Sequence, residues 1–218
     1  MSNLDIKVYR DLMGENEKWA VRTRGLLREK GVRMLNIIGS PGCGKTMLLE
    51  NSVKRLEGKI RFAVLEGDVE TTRDAERLHA MKVPVSQLLT GGACHLEAKL
   101  VHRALSDLPL DELDIVIVEN VGNLVCPAEF DIGEHAKIAM LSVTEGEDKP
   151  IKYPLLFRES KAVVLTKVDL LPHLLFDIDT CIEYIRQVNG NVPVMKVSAL
   201  DGTGMDEWIE YLACTEFE

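Results

Sequence analysis

Long apolar segments are missing from this 218-residue sequence. No run approaches the roughly 18 consecutive apolar residues that a membrane-spanning helix needs. The first ten residues, MSNLDIKVYR, contain neither the apolar centre of a signal peptide nor a lipidation motif. We therefore expect a cytoplasmic protein with no membrane partner.

The sequence also has fewer basic than acidic residues. Lys and Arg together number 26 against 35 Asp and Glu, which gives a formal net charge of -9. An acidic chain does not attract nucleic acid through its overall field, so we expect no nucleic-acid partner, although a local basic patch stays open.

The cysteines do not form the pattern of a disulfide framework. Its five cysteines are an odd and widely scattered set, which favours a reducing compartment where thiols pack, react or bind metal. They are Cys43, Cys94, Cys126, Cys181 and Cys214.

Hydrophobic residues make up 46% of the chain and charged residues 28%, a composition typical of a globular protein. Residues 1–30 show the loose periodicity of an amphipathic helix, and residues 31–218 form one domain in which strands and helices alternate. We predict strands near 34–38, 61–65, 83–88, 114–118, 136–142, 162–166 and 193–197, and helices near 46–56, 72–81, 95–107, 178–189 and 205–213. Segments 120–133 and 144–154 are expected to be irregular. The alternation predicts an α/β fold with a mostly parallel sheet covered by helices on both faces.

The strongest local motif follows the first strand and opens a helix. It reads GSPGCGKTM and fits the phosphate-loop pattern G-x-x-x-x-G-K-[ST]. Backbone N–H groups of such a loop surround phosphate oxygens, while Lys45 reaches the β- and γ-phosphates and Thr46 offers a hydroxyl to Mg²⁺. The expected nucleotide contacts are Gly39, Gly42, Cys43, Gly44, Lys45, Thr46 and Met47. A glycine-rich turn without ligand is the alternative.

Acidic residues end two further strands at the same predicted edge of the sheet. Glu119 follows DIVIV, and RFAVL runs into Glu66-Gly67-Asp68. Glu119 and Asp68 can therefore both serve Mg²⁺ beside Thr46, with Asp68 the candidate for orienting the attacking water. Gly122 can turn its N–H towards the γ-phosphate. We take Lys45, Asp68, Glu119 and Gly122 as catalytic candidates; the alternative is that these acids merely terminate strands.

A base-reading element follows the strand AVVL and reads Thr166-Lys167-Val168-Asp169. A carboxylate at Asp169 can accept from guanine N1–H and N2–H₂, a pattern that adenine does not offer, and the Lys167 stem can lie against the base. Ser198 and Ala199, after the strand PVMKV, match the last guanine-binding loop of GTPases. These residues favour GTP over ATP, and a surface turn is the alternative for the short T-K-x-D pattern.

Cys94-His95 and Cys126 form a separate constellation. Thiolate and imidazole ligands suit Ni²⁺, Zn²⁺ or Cu⁺ far better than Mg²⁺. Three ligands per chain leave such a site open, or a two-fold interface completes it from both subunits. The alternative is that Cys94, His95 and Cys126 only pack. His102, two helical turns after His95, is expected at the solvated surface, with an auxiliary ligand as its alternative.

Taken in order, the phosphate loop, EGD, TGGACHLEA, ENVGNLVCPAEFDIG, VTEGEDKP and LTKVDLLPHL resemble the HypB family of GTPases, which assist nickel insertion into [NiFe]-hydrogenase. The resemblance covers about residues 34–213. It implies a homodimer with GTP, a Ni²⁺ or Zn²⁺ site at Cys94, His95 and Cys126 near the dimer interface, and two protein partners: a nickel-delivery protein and the hydrogenase large-subunit precursor. Because the chain has no Cys before 43 and no His before 79, the N-terminal nickel site of many members is not expected.

The function expected on these grounds is hydrolysis of GTP to GDP and phosphate, slow without a partner, by a metallochaperone of hydrogenase maturation. The nearest alternative is a urease-type or other metallochaperone GTPase. An ATP-dependent nucleotide kinase and a metal-binding module with a vestigial phosphate loop are alternatives of other classes.

Overall fold

The computed structural model describes residues 3–68, 77–81 and 83–213, with side chains from residue 14 onward except that of Asp68. Within these residues the chain forms a sheet of seven strands in the order β3-β2-β4-β1-β5-β6-β7. The strands are β1 Arg33–Gly39, β2 Phe62–Asp68, β3 Val85–Leu89, β4 Ile115–Glu119, β5 Ala136–Ser142, β6 Ser160–Thr166 and β7 Val194–Val197. Every neighbouring pair is parallel, so the predicted sheet is confirmed.

Helices connect the strands. They are α1 Asn3–Lys30, α2 Lys45–Leu56, α3 Ala98–Ser106, α4 Cys126–Glu129, α5 Lys149–Lys152, α6 Pro154–Glu159, α7 Ile178–Val188 and α8 Met205–Ala213, with 3₁₀ turns at Leu110–Glu112 and Val168–His173. Among the residues described, none of these helices has both the length and the apolarity needed to cross a bilayer.

Two predicted helices, and the two segments expected to be irregular, differ from the observed elements or lie partly outside the described residues. The helix predicted over 72–81 lies mostly outside the described residues. The helix predicted over 95–107 begins only at Ala98, because Cys94–Glu97 form a loop. The segments expected to be irregular contain the short helices α4 and α5, each with a proline in its first turn, where the missing N–H costs no hydrogen bond.

The core lies on both faces of the sheet because the central strands are mostly apolar. On one face Leu35 and Ile37 of β1 pack with residues of α2 and α8, including Trp208. On the other, Met34 packs with residues of α1 and α3, and Ile38 packs with residues of α6 and α7. The mostly apolar sequences of β1 and β4, buried on both sides, are what a parallel sheet covered by helices requires.

Helix α1 packs closely onto the chain that leads into β5. Gly133 has a φ of +88°, and a Cβ there would lie 2.6 Å from Thr23 Cβ. Arg24 donates to both carboxylate oxygens of Asp131, at 2.9 and 2.6 Å. Asn16 connects the same segment to α3, since its Nδ2 donates to Asp131 O and its Oδ1 accepts from Ala98 N.

Candidate functional site

The phosphate loop joins the carboxyl end of β1 to the start of α2. Gly42 and Gly44 have φ values of +73° and +99°, a left-handed conformation that glycine adopts without steric cost. Gly44 is the N-cap of α2 and supplies no side-chain cap, so the helix N-terminus stays open to an anion. A Cβ on Gly39 would lie 2.6 Å from Cys43 Sγ and 2.8 Å from Met140 O, which only glycine avoids.

Cys43 belongs to the packing of this loop. Its thiol is buried, and burial raises its pKa to about 11. Its backbone N–H donates to Ser40 O at 3.2 Å. At neutral pH the Cys43 thiol is therefore protonated and serves only to pack the loop, while the Cys43 backbone forms part of the phosphate loop itself.

Lys45 and Thr46 are the first residues of α2, and both are buried. Lys45 Nζ lies 3.4 Å from the carbonyl oxygens of Gly39 and Ser40, which hold the ammonium over the loop through two long contacts. The Thr46 hydroxyl donates to Glu119 Oε1 at 2.9 Å. A hydroxyl beside a carboxylate is a donor pair that suits Mg²⁺.

Glu119 has an acidic neighbour that sequence reasoning did not select. Glu66 of β2 pairs in register with Glu119 of β4, and both side chains are buried. Asp68, the residue selected instead, ends β2, but its side chain lies outside the described residues. The signal that could have identified Glu66 was the EGD sequence itself, since strand residues two apart point to the same face.

Gly122 places the chain after β4 against the phosphate loop. A Cβ on Gly122 would lie 2.8 Å from Pro41 Cγ and 2.9 Å from Pro41 N. The next residue donates its backbone N–H to Gly39 O at 3.1 Å. The segment expected to meet the γ-phosphate is therefore in direct contact with the loop.

A cavity of about 510 Å³ lies at the carboxyl edge of the sheet. The predicted site residues that line it are Gly42, Gly44, Lys45, Thr46, Met47, Glu119 and Gly122. Its lining also includes Glu66, Arg77 and Asn120, which sequence reasoning did not assign to the site. An acidic wall at one side and an open helix N-terminus at the other are what a magnesium-phosphate group requires.

A second cavity, of about 300 Å³, adjoins the first, and Gly44 and Met47 line both. Leu48 of α2 also lines it, and the other lining residues come from the ends of β6 and β7 and the chain that follows them, namely Thr166, Lys167, Asp169, Leu170, Val197, Ala199 and Leu200. A mainly apolar slot with one carboxylate has the character of a base-binding pocket.

The base-reading element is hydrogen-bonded to the phosphate loop. Thr166 Oγ1 donates to Cys43 O and Lys167 Nζ donates to Gly42 O, each at 2.6 Å. Lys167 reaches this position with a φ of +59°, in the left-handed region that is uncommon for non-glycine residues.

Ser198 lies beneath the second cavity and does not line it. It is fully buried, its backbone N–H donates to Thr203 O, and its hydroxyl accepts from Asp201 N. Ser198 thus shapes the loop that carries Ala199, which does line the cavity.

The predicted metal ligands converge. One side-chain atom from each of Cys94, His95 and Cys126 lies within 4.8 Å of the other two. The two sulfur atoms are 2.8 Å apart, and His95 Nδ1 is 3.7 Å from Cys94 Sγ. The hydrogen bond to Cys126 raises the pKa of the Cys94 thiol. Partial burial lowers the pKa of His95, whose ring stacks on Phe130 with centroids 3.8 Å apart.

His102 does not join this cluster. Its Nδ1 lies 3.2 Å from the Thr23 hydroxyl, and its ring lies 5.2 Å from that of Trp19. His102 is therefore neither a further ligand nor a fully solvated surface residue, because its half-buried ring turns towards α1.

A parallel sheet with a phosphate loop after its first strand, and with two joined cavities above that loop, defines a P-loop nucleotide-binding protein. Residues 33–196 match the family model described as the CobW/HypB/UreG nucleotide-binding domain. The hydrogenase maturation factor HypB of Escherichia coli K12 is 46% identical over 207 residues, which cover 95% of this chain and 71% of that protein. The chain therefore belongs to the CobW/HypB/UreG family and, within it, to the HypB proteins.

Solved structures agree with this assignment. The crystal structure of HypB from Helicobacter pylori in complex with nickel has a TM-score of 0.88 at 35% identity, over 91% of this chain and 94% of that one. HypB from Archaeoglobus fulgidus has a TM-score of 0.86 at 34% identity, over 92% and 98% of the two chains.

Proposed function

We propose that this protein hydrolyses GTP to GDP and phosphate and uses that cycle to control nickel insertion during [NiFe]-hydrogenase maturation. The observation that carries the proposal is the pair of joined cavities, with Lys45 and Thr46 in one and Asp169 in the other. The Asp169 carboxylate proposed to bind guanine and the loop proposed to bind phosphate therefore lie in adjoining cavities.

On the phosphate side, Lys45 leaves its two long carbonyl contacts for the β- and γ-phosphate oxygens, where a charge-assisted bond is stronger. The residues that would hold Mg²⁺ are Thr46, Glu119 and Asp68; the ion, when bound, neutralises phosphate charge. Asp68 orients the attacking water, and Gly122 presents its N–H to the γ-phosphate. None of these groups is a strong general base, so slow intrinsic turnover is expected.

On the base side, Asp169 accepts two hydrogen bonds from guanine while the stem of Lys167 lies along the ring. Thr166 and Lys167 need no movement for this, because they already bond to the phosphate loop. Base recognition and phosphate binding are thus parts of one unit.

The cluster of Cys94, His95 and Cys126 takes Ni²⁺ as cargo, and its donor set also accepts Zn²⁺. All three residues are at least partly exposed, so the ion can enter and leave. Three donors leave one position open, which a second subunit of a GTP-bound homodimer or an acceptor protein completes. The nickel-delivery protein and the hydrogenase large-subunit precursor are the partners that this role requires. The free cysteines of the described residues support a reducing compartment such as the cytoplasm as the place where this protein acts.

Nucleotide and metal influence each other through a short stretch of chain. Gly122 touches the phosphate loop, and Cys126 opens α4 four residues later. A movement of Gly122 towards a γ-phosphate therefore shifts one metal ligand relative to the other two. Linkage requires that Ni²⁺ change GTP affinity by the same factor as GTP changes Ni²⁺ affinity, typically about 5 to 150-fold.

The proposal is tested by titrating Ni²⁺ into the protein with GDP and with a non-hydrolysable GTP analogue, while light scattering follows dimer formation. We expect the analogue to promote a dimer with an altered Ni²⁺ affinity. Cys94→Ala and Cys126→Ala should abolish the metal response and leave nucleotide binding intact, whereas Cys181→Ala, at a thiol buried beside α6, serves as the matched control. Equal Ni²⁺ affinity in both nucleotide states would refute the switch, and stronger binding of ATP than GTP would refute the base assignment.

A further inference from the structure

Two asparagine side chains hold the backbone on either side of His95. Asn123 Nδ2 donates to the carbonyl oxygen of Cys94 at 3.1 Å. Asn120 Oδ1 accepts from the N–H of Leu96 at 3.4 Å. Both asparagines belong to the segment that leads to Cys126. The loop that carries Cys94 and His95 is therefore hydrogen-bonded to the segment that carries the third predicted ligand.

The amide of Asn120 has only one orientation that fits its surroundings. Its oxygen faces two backbone donors, Leu96 N and Val121 N. Its Nδ2 must then donate to Asn36 Oδ1, at 3.0 Å, and Asn36 Nδ2 in turn donates to Glu134 Oε1 at 3.1 Å. Asn36, Asn120 and Glu134 are all buried, and an amide inside such a satisfied chain does not rotate without leaving a polar group unpaired.

The Asn120–Asn123 segment also rests on the nucleotide site. Asn120 lines the phosphate cavity, and Asn123 N donates to Gly39 O at 3.1 Å. Leu96 is packed from a third side, since a Cβ on Gly67 at the end of β2 would lie 2.8 Å from its Cδ1. The two amides therefore join the Asn120–Asn123 segment to the Cys94–Leu96 loop, while the backbone N–H of Asn123 joins the same segment to Gly39 of the phosphate loop.

We propose that Asn120 and Asn123 are positioning residues that fix Cys94 and His95 in ligating geometry and carry the movement of the nucleotide-sensing segment to them. The proposal rests on the Ni²⁺ role proposed above. Cys126 moves with this segment because it follows it in the chain, and the two amide contacts transmit part of that movement to Cys94 and His95. The shift of Cys126 relative to the other two ligands therefore depends on both amides. Partners that orient metal ligands in this way typically contribute about 10 to 100-fold to metal affinity.

The test replaces Asn123, which is half-buried and can be changed without opening the core. In Asn123→Ala the donor to Cys94 O is lost, and in Asn123→Asp it is lost while the acceptor for Val125 N is kept. Asn123→Gln restores a donor. Val125→Ala, at an exposed side chain two residues on, is the matched control.

Each variant is titrated with Ni²⁺ alone as the probe, with GDP and with the GTP analogue, and the thiolate-to-nickel absorption band is recorded. We expect Asn123→Ala and Asn123→Asp to weaken Ni²⁺ binding by about 10 to 100-fold and to change the band, with partial recovery in Asn123→Gln. Val125→Ala should match the parent. Intrinsic GTP turnover and thermal unfolding, measured on the same samples, identify any general loss of structure.

The outcomes separate this proposal from the function on which it rests. A parent protein that responds to nucleotide, beside an Asn123→Ala variant with the same Ni²⁺ affinity and band, overturns the positioning role alone. Weakened Ni²⁺ binding in Asn123→Ala, with no nucleotide response in the parent, supports the positioning of the ligands and overturns both the switch and the transmitted movement. A parent that binds no Ni²⁺ at the cluster overturns both proposals.

Discussion

A single methyl group added at Gly122 tests whether the chain after β4 rests on the phosphate loop. A Cβ at this position would lie 2.8 Å from Pro41 Cγ, 2.9 Å from Pro41 N and 3.0 Å from Pro41 Cα. Two of these atoms are backbone atoms, so a change of rotamer cannot relieve the clash. Gly122 does not have a positive φ, and the effect of Gly122→Ala is therefore purely steric.

The size of the effect follows from these distances. Carbon atoms in optimal contact are about 3.5–4.0 Å apart, so the segment must retreat by roughly 0.5–1 Å. Such a retreat lengthens the bond between Asn123 N and Gly39 O, now 3.1 Å, past the usual range of about 2.7–3.2 Å. Overpacking of this kind costs about 1–3 kcal/mol. We expect Gly122→Ala to lower the free energy of unfolding by that amount and to reduce the difference in Ni²⁺ affinity between the GDP and GTP-analogue states.

Urea unfolding of the nucleotide-free protein, followed by circular dichroism, measures the first effect, and paired Ni²⁺ titrations measure the second. Gly190→Ala is the control, because a Cβ there would meet nothing nearer than Arg186 O at 3.7 Å. A surface change of this kind should stay within about 0.5 kcal/mol of the parent. If Gly122→Ala were as stable as Gly190→Ala and kept the full nucleotide response, the contact with Pro41 could not be the route between the two sites.

Three further predictions concern the base, the phosphates and the metal. Asp169→Asn should weaken GTP by at least about 100-fold, because two hydrogen bonds to a charged group are worth roughly 1.5–3 kcal/mol each, and should favour xanthosine triphosphate; competition binding that still prefers GTP would exclude Asp169 from base recognition. Lys45→Ala should lower GTP turnover by about 100 to 1,000-fold, and a variant that turns over at the parent rate would exclude Lys45 from catalysis. Because a thiol with a raised pKa is protonated at neutral pH and binds metal only as thiolate, Ni²⁺ affinity should rise with pH between about 7 and 9 by up to tenfold per unit for each proton released. Isothermal titration at several pH values measures this slope, which Cys94→Ala should reduce; a flat profile in the parent would show that the thiols are not ligands.

The features that sequence reasoning predicted well depend on local signals. Six of the seven strands begin and end within two residues of their predicted bounds, because a buried apolar run marks a strand clearly. Strand β2 extends three residues beyond its predicted end, through the polar EGD sequence. The phosphate loop was predicted because its glycines and its Lys-Thr pair follow a strand directly. The metal cluster was expected for a topological reason, since loops after parallel strands meet at one edge of the sheet.

Other features depend on partners far away in the chain. Asn36 and Asn120 are ordinary polar residues in the sequence, and only the fold shows that they bond to each other and to Glu134. Glu66 was passed over for Asp68 because the register that pairs it with Glu119 is a property of the sheet. His102 was placed by helical periodicity, which predicts the face of a helix but not which neighbour covers it.

The order of the strands also has a consequence for how the nucleotide site is built during synthesis. Strand β1, which carries the phosphate loop, pairs only with β4 and β5, whose partner residues are Ile115 for Arg33 and Ala136 for Leu35. In a nascent chain the loop therefore follows an unpaired strand until β4 is complete, about 80 residues later. Both neighbouring strands are present only after about 100 further residues, which takes roughly 5–20 s at common translation speeds. Pairing over such separations is slow to nucleate, and the base pocket must wait longer still, until β7 emerges. GTP can thus bind only after nearly the whole chain has been made, so the nucleotide acts on the finished fold and cannot template its early stages.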